Sequence, residues 1–207
     1  MIGGHEEPRL TPYERLKPDE PLEAITSKLF SLMRTGLNDT FANLDQRRFA
    51  EAVELIARAD RVEVFGIGGS GYIAFNATNK FVTAGVRFTP RTDPSLQAHY
   101  ARFLGASDVA LALSHTGKSD TVQAAIVDAS AVGARTVAIT SNAHSPIARA
   151  ADVHILTAVP EATVGAEAGV IRVAQVAVLD CLAVAVAHQK AQQSGGARHG
   201  GREQRRS

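Results

Sequence analysis

One cysteine in 207 residues, Cys181, rules out an intramolecular disulfide, and with no clustered Cys/His set no metal is expected. It lies in the apolar stretch Val176-Ala177-Val178-Leu179-Asp180-Cys181-Leu182, which reads it as a small core residue rather than a nucleophile. An excess of one charge is also missing. Lys and Arg number 22 against 21 Asp and Glu, a net charge of +1, so no global electrostatic argument favours nucleic acid or membrane. No basic n-region and apolar h-region open the chain, and no apolar run reads as long enough to span a bilayer. The expectation is a cytoplasmic protein with no membrane partner.

What is present suits a single α/β core, since 45% hydrophobic residues over this length can bury one. Residues 1–20, rich in Pro and charge, read as an extended arm, 21–189 as the folded domain and 190–207 as a tail. The tail holds five Lys/Arg against one Glu, and its Gln, Ser and Gly cannot bury apolar surface. It is expected to be a disordered basic tail facing solvent, not a nucleic-acid contact.

Leu22, Ile25, Leu29, Leu32, Met33 and Leu37 keep a helical period, as do Phe49, Ala52, Val53, Ile56 and Ala57. From Arg61 the pattern alternates, with strands near 61–66, 86–89, 108–113, 136–140 and 152–156 separated mostly by helical segments. That alternation predicts a three-layer α/β/α sandwich with a five-stranded, mainly parallel sheet, preceded by two helices. A last helix from about 169 to 189, dense in Ala and Val, has apolar surface on more than one side and suggests a subunit interface.

Two strand-to-helix turns carry the chemistry. Val62-Glu63-Val64-Phe65 runs into Gly66-Ile67-Gly68-Gly69-Ser70-Gly71, and Val109-Ala110-Leu111-Ala112-Leu113 into Ser114-His115-Thr116-Gly117-Lys118-Ser119-Asp120-Thr121. Hydroxyls and backbone N–H groups at such turns surround phosphate, and the following helix dipole favours its charge. Two of them in one sheet suggest a ligand with phosphate at one end and hydroxyls at the other, as in a phosphosugar. Ser119 is weighed as a ligand contact, Thr121 as a helix cap, and Ser145 before Pro146 as another cap.

Other phosphate readings fit less well. Gly66-x-Gly68-x-x-Gly71 has dinucleotide spacing, but the acid that should end the second strand arrives late, as Asp93 after Thr-Pro-Arg-Thr. Gly117-Lys118-Ser119 spells the end of a nucleotide P-loop, yet Ala112 stands where its first glycine belongs, inside a strand.

Together with Ala138-Ile139-Thr140-Ser141-Asn142, Ser145-Pro146-Ile147-Ala148 and Ala151-Asp152, these turns resemble the sugar isomerase (SIS) domain over about residues 45 to 188. The wording of the second turn and of Arg172-Val173-Ala174-Gln175-Val176-Ala177-Val178-Leu179-Asp180 most resembles the sensor domain of RpiR-type (MurR/RpiR) transcriptional regulators. The resemblance implies that Ser114, Thr116 and Ser119 grip a phosphate with backbone N–H groups near His115 and Gly117, while Gly68, Gly69 and Ser70 approach from the first turn. It implies a phosphorylated sugar or amino sugar as ligand, no cofactor, and a homodimer or homotetramer. The helix-turn-helix domain that such regulators carry ahead of the sensor has no counterpart in these residues. Pro12-Tyr13-Glu14-Arg15-Leu16-Lys17 resembles the end of the linker that follows it. The chain is therefore expected to be a stand-alone sensor or a piece that starts downstream, and not to bind DNA directly.

The alternative is an aldose–ketose isomerase, which requires a general base to carry a proton between adjacent carbons. Glu161, Glu167 and His99 are candidates, as is His115 within the cradle. Spacing assigns none of them, and a Glu near a helix start more often compensates the dipole.

Overall fold

The structure, a computed structural model, describes residues 19–158 and 169–203. Most of the proposed arm, with Glu161, Glu167 and the last four residues of the tail, lies outside them. Two helices, α1 (Leu22–Ala42) and α2 (Gln46–Arg58), precede the alternating part. This runs β1 (Val62–Phe65), α3 (Gly68–Thr83), β2 (Phe88–Arg91), α4 (Gln97–Ala101), β3 (Val109–Leu113) and α5 (Asp120–Ala131). It continues through β4 (Arg135–Thr140), α6 (Pro146–Ala150), β5 (Val153–Leu156) and α7 (Val170–Glu203).

The five strands are all parallel, in the order β2-β1-β3-β4-β5. Their interiors are apolar on both sides because helices cover both faces. The two-residue period of a strand sends Val62, Val64, Val109, Leu111, Leu113, Val137 and Ile139 to the face covered by α2, α3 and α7. Phe65, Ala110, Ala112 and Ala138 go to the face covered by α4, α5 and α6. On the first face the rings of Phe81 and Phe88 stack with centroids 4.3 Å apart. Helix α1 rests on α7 rather than on the sheet, so only one stripe of it, through Gly36 and Thr40, is buried.

Four expectations are corrected. β2 starts two residues later than the sequence pattern suggests and includes Pro90, which an edge strand tolerates because one side of its backbone needs no ladder partner. α7 continues through Glu203, past the end near 189 that the sequence pattern suggests. Its extension is tied down by Lys190 Nζ donating to the Ala57 carbonyl at 3.2 Å and by a Gln192–His188 pair one turn apart. Cys181 is exposed, since Val178, Leu179 and Leu182 take the buried face of α7. Ile171–Gln193 is, after all, long and apolar enough to cross a membrane. Of its window 44% is buried, on the side that packs into the core through Val178, Leu179, Leu182 and Val186.

Asp45 caps α2 by accepting the Arg47 and Arg48 N–H groups at 2.9 and 3.1 Å, which, led by the Arg48 bond, holds its carboxyl below the usual range. Arg48 turns back onto half-buried His154 of β5, Nη1 to Nδ1 3.3 Å. Burial first, then the Arg48 charge, holds the His154 imidazole below its ordinary 6.5. The unfolded chain therefore takes up this proton at higher pH than the native protein. The stability that neutral His154 supplies is present above pH 6.5 and lost as the pH falls through the lower native value. On acidification from neutrality to about pH 5 the wild type should lose more melting temperature than His154→Gln. Equal losses would show that this imidazole is not a source of acid sensitivity.

Candidate functional site

In a doubly wound sheet of order 2-1-3-4-5, the chain leaves β1 to one face and β3 to the other, opening a crevice at their carboxyl ends. A cavity of about 350 Å³ lies there. One wall is the turn after β1, with Ile67, Gly69 and Ser70; another is the turn after β3, from Leu113 through Thr116 to Lys118 and Ser119. The third is the start of α7, with Ile171, Arg172 and Gln175.

Two helix N-termini converge on it. The N-cap residue of α3 is Ile67, whose side chain cannot cap, and the N-cap residue of α5 is Ser119, whose hydroxyl makes no capping bond. First-turn N–H groups at both ends thus lack side-chain acceptors, the arrangement that binds anions. Ser119 Oγ instead stands 3.5 Å from Thr121 Oγ1. Thr121 is not the cap: it lies inside α5, one residue past its start. The Thr116 hydroxyl accepts the Lys118 N–H at 3.3 Å, leaving its own proton to donate outward.

The cradle keeps its shape through bonds behind it. The His115 carbonyl accepts from the Thr140 and Ser141 hydroxyls at 2.9 and 2.8 Å and from the Ser141 N–H at 2.9 Å. Gly117 has a φ of +64° and its carbonyl accepts the Ile147 N–H. Its α-carbon is pressed against Ser145, which caps α6 through the Ala148 N–H with Pro146 at the first helical position. The first turn is braced from the side by buried Gln97, whose Nε2 donates to the Gly66 and Arg91 carbonyls at 3.3 and 2.8 Å.

Of the residues singled out in the sequence, Gly69, Ser70, Ser114, His115, Thr116 and Ser119 line the cavity, and Gly68 and Gly117 do not. Gly117 shapes the loop from behind, and Gly68 permits the turn into α3 at φ +53°. His99 is exposed on α4, edge-on to Phe103 at 5.0 Å, away from the cavity. Asp93 does not line it either. Its carboxylate accepts the Ser95 hydroxyl and N–H at 2.6 and 2.9 Å, bonds that hold its pKa down and engage it locally.

Sequence reasoning did not pick out Arg172 and Gln175 as site residues. Both belong to a helix read as apolar packing, although two polar residues three apart on that helix were a legible signal of a polar face. Among the described residues the lining contains two cations, Lys118 and Arg172, and no carboxylate.

Residues 55–185 match the SIS domain family. The chain belongs to that family. The SIS chain is 30% identical over 178 residues to the HTH-type transcriptional regulator RpiR of Escherichia coli strain K12, covering 85% of this chain and 60% of the relative. It spans about 60% of the length of the curated relatives it matches. The sugar isomerase domain of an RpiR transcription factor from Sphaerobacter thermophilus superposes with a TM-score of 0.74 at 26% identity, covering 86% of this chain and 98% of that one. The Vibrio vulnificus NanR protein, solved in complex with ManNAc-6P, shares the SIS fold with a TM-score of 0.71 at 21% identity, covering 88% and 67%.

Proposed function

We propose that this SIS domain binds a phosphorylated sugar and serves as the ligand-sensing part of an RpiR-type regulator of carbohydrate metabolism, in the cytoplasm. The observation that carries this reading is the hydroxyl-lined turn Ser114–Ser119, set between two helix N-termini whose side chains leave their N–H groups uncapped. Ser114, Thr116, Ser119 and Lys118 hold the phosphate, with backbone N–H groups at His115 and Gly117; Gly69 and Ser70 approach from the other turn. The regulators among its relatives support the sensing role, and the ManNAc-6P bound by NanR supports the ligand class. Exposed Tyr72, Phe75 and Val82 on α3 and Val184 on α7 support assembly into a homo-oligomer. Direct DNA contact by these residues forms no part of this reading.

Sensing is favoured over isomerisation by the transcriptional regulators among its relatives; an isomerase would need a general base, and of the base candidates within the described residues His115 is the one that lines the cavity. A thermal-shift screen against hexose, pentose, heptose and amino-sugar phosphates tests both. A ligand at a hundred times its Kd stabilises by about 2.7 kcal/mol, roughly 5–10 °C for a domain of this size. The expected result is stabilisation by at least one sugar phosphate, abolished in Ser114→Ala/Thr116→Ala, with no isomer of it appearing by NMR. Conversion to an isomer would make the protein an enzyme, and silence towards every sugar phosphate would end the phosphosugar reading.

A further inference from the structure

We infer that Arg172 and Gln175 are the specificity-determining pair of this cavity and that they read a hydrogen-bond acceptor, a carboxylate or an acyl carbonyl, on the ligand away from its phosphate. The inference rests on the phosphosugar reading and adds to it which phosphosugars are accepted.

Gln175 is 1% exposed, lines the cavity, and its Nε2 has no hydrogen-bond partner among the described residues. A buried amide donor is almost always paired in a folded protein, so an unpaired one on a residue of the cavity wall is a donor kept for something that enters it. Arg172 lies three residues earlier on the same helix and therefore beside it. Its guanidinium extends over the first turn of α3, with Nε and Nη2 3.1 and 3.2 Å from where a β-carbon on Gly69 would stand. A β-carbon at 69 would push the side chain back by a few tenths of an ångström. Arg172 makes no ion pair among the described residues, and a guanidinium offers five N–H donors and no acceptor.

Position separates this pair from the phosphate cradle. α7 covers the α2/α3 face of the sheet, whereas the cradle opens α5 on the opposite face. A molecule whose phosphate sits in the cradle presents its other end to α7. Donors from an amide and a guanidinium there select an acceptor, and a carboxylate or acyl carbonyl accepts both at once. A free ammonium at the same end would meet Lys118 and Arg172 with no carboxylate of the described lining to offset them. Unacylated amino-sugar phosphates are thus expected to bind weakest, while plain hexose phosphates leave Gln175 unpaired.

Calorimetric titration with four compounds tests this: 6-phosphogluconate, N-acetylmannosamine 6-phosphate, glucose 6-phosphate and glucosamine 6-phosphate. The wild type should bind one of the first two at least about tenfold more tightly than glucose 6-phosphate, with glucosamine 6-phosphate weakest. Which of the two is preferred separates carboxylate from acyl carbonyl. In Gln175→Met and Arg172→Gln that preference should shrink towards one. Ligand-free Gln175→Met should melt no lower than the wild type, because it removes an unpaired buried donor while keeping the shape. Arg172 is exposed, so its variant reports even if the Gln175 variant folds poorly. An unchanged preference in both variants, or an equal loss for all four compounds, would overturn the inference and leave the phosphosugar reading standing. A wild type that binds none of the sugar phosphates overturns both.

Discussion

Gly117→Ala is expected to cost about 3 kcal/mol of stability, lower the melting temperature by roughly 10 °C and abolish sugar-phosphate binding. Two penalties combine. At φ +64° any L side chain is strained, and a β-carbon here would fall within the Ser145 side chain and 2.9 Å from Thr140 Oγ1. Neither neighbour is free to withdraw: Ser145 Oγ accepts the Ala148 N–H at the start of α6, and Thr140 Oγ1 donates to the His115 carbonyl. The cradle must lift off β4 and α6, carrying Ser114 and Thr116 with it. Gly68→Ala is the comparison. Its φ of +53° carries the backbone penalty of about 1 kcal/mol, but nothing lies within 4 Å of the added carbon. Chemical unfolding of the two variants side by side separates crowding from backbone strain, and similar losses would remove the crowding argument.

Arg91→Met should destabilise by about 3 kcal/mol, because it strands a carboxylate that the fold has buried. Glu63 is on β1 with only 5% of its side chain exposed, and it accepts from Arg91 Nε at 2.5 Å and Nη2 at 3.2 Å. That hydrogen bonding, foremost, raises the Arg91 pKa above its ordinary value. The guanidinium also covers the Tyr100 ring, 3.8 Å from its centroid. Removing both charges together is a milder change than removing one, since no unpaired ion remains. Glu63→Leu/Arg91→Met should therefore regain at least half of what Arg91→Met loses in urea unfolding. A double variant as unstable as the sum of the two single ones would mean the charges are not coupled. The pair also bears on the site, because the Arg91 carbonyl holds Gln97 in place against Gly66.

The sheet was legible because each strand of the interior is a short apolar run between glycine- or hydroxyl-rich turns, which leaves little choice of period. β2 was misplaced for a local reason. Val86 is buried and β-branched, so it reads as strand, while Pro90 reads as a stop; only the edge position, a tertiary fact, reverses both. The phosphate cradle was legible for the opposite reason: Ser114, Thr116 and Ser119 are contiguous, and their chemistry belongs to one turn. Arg172 and Gln175 reach the same cavity from more than fifty residues downstream. Periodicity places residues on faces of their own helix but says nothing about which strand end a helix will abut. Ser145 and Gly117 illustrate a third case: Ser145 reads as a helix cap and Gly117 as part of the cradle, while their mutual contact was invisible until β4 and β3 lay side by side.

The position of α7 has a consequence for how the protein is made. Val178, Leu179, Leu182 and Val186 help seal the face of the sheet that holds Val62, Val64 and Leu111, and they are encoded after all five strands of the sheet. During synthesis the whole sheet can leave the ribosome with α7's share of that face bare, an exposure that invites aggregation or chaperone capture until α7 arrives. The same helix completes the cavity with Ile171, Arg172 and Gln175. A nascent chain is thus unable to answer a sugar until α7 has been made, and any ribosome that stops before it releases a product both sticky and deaf.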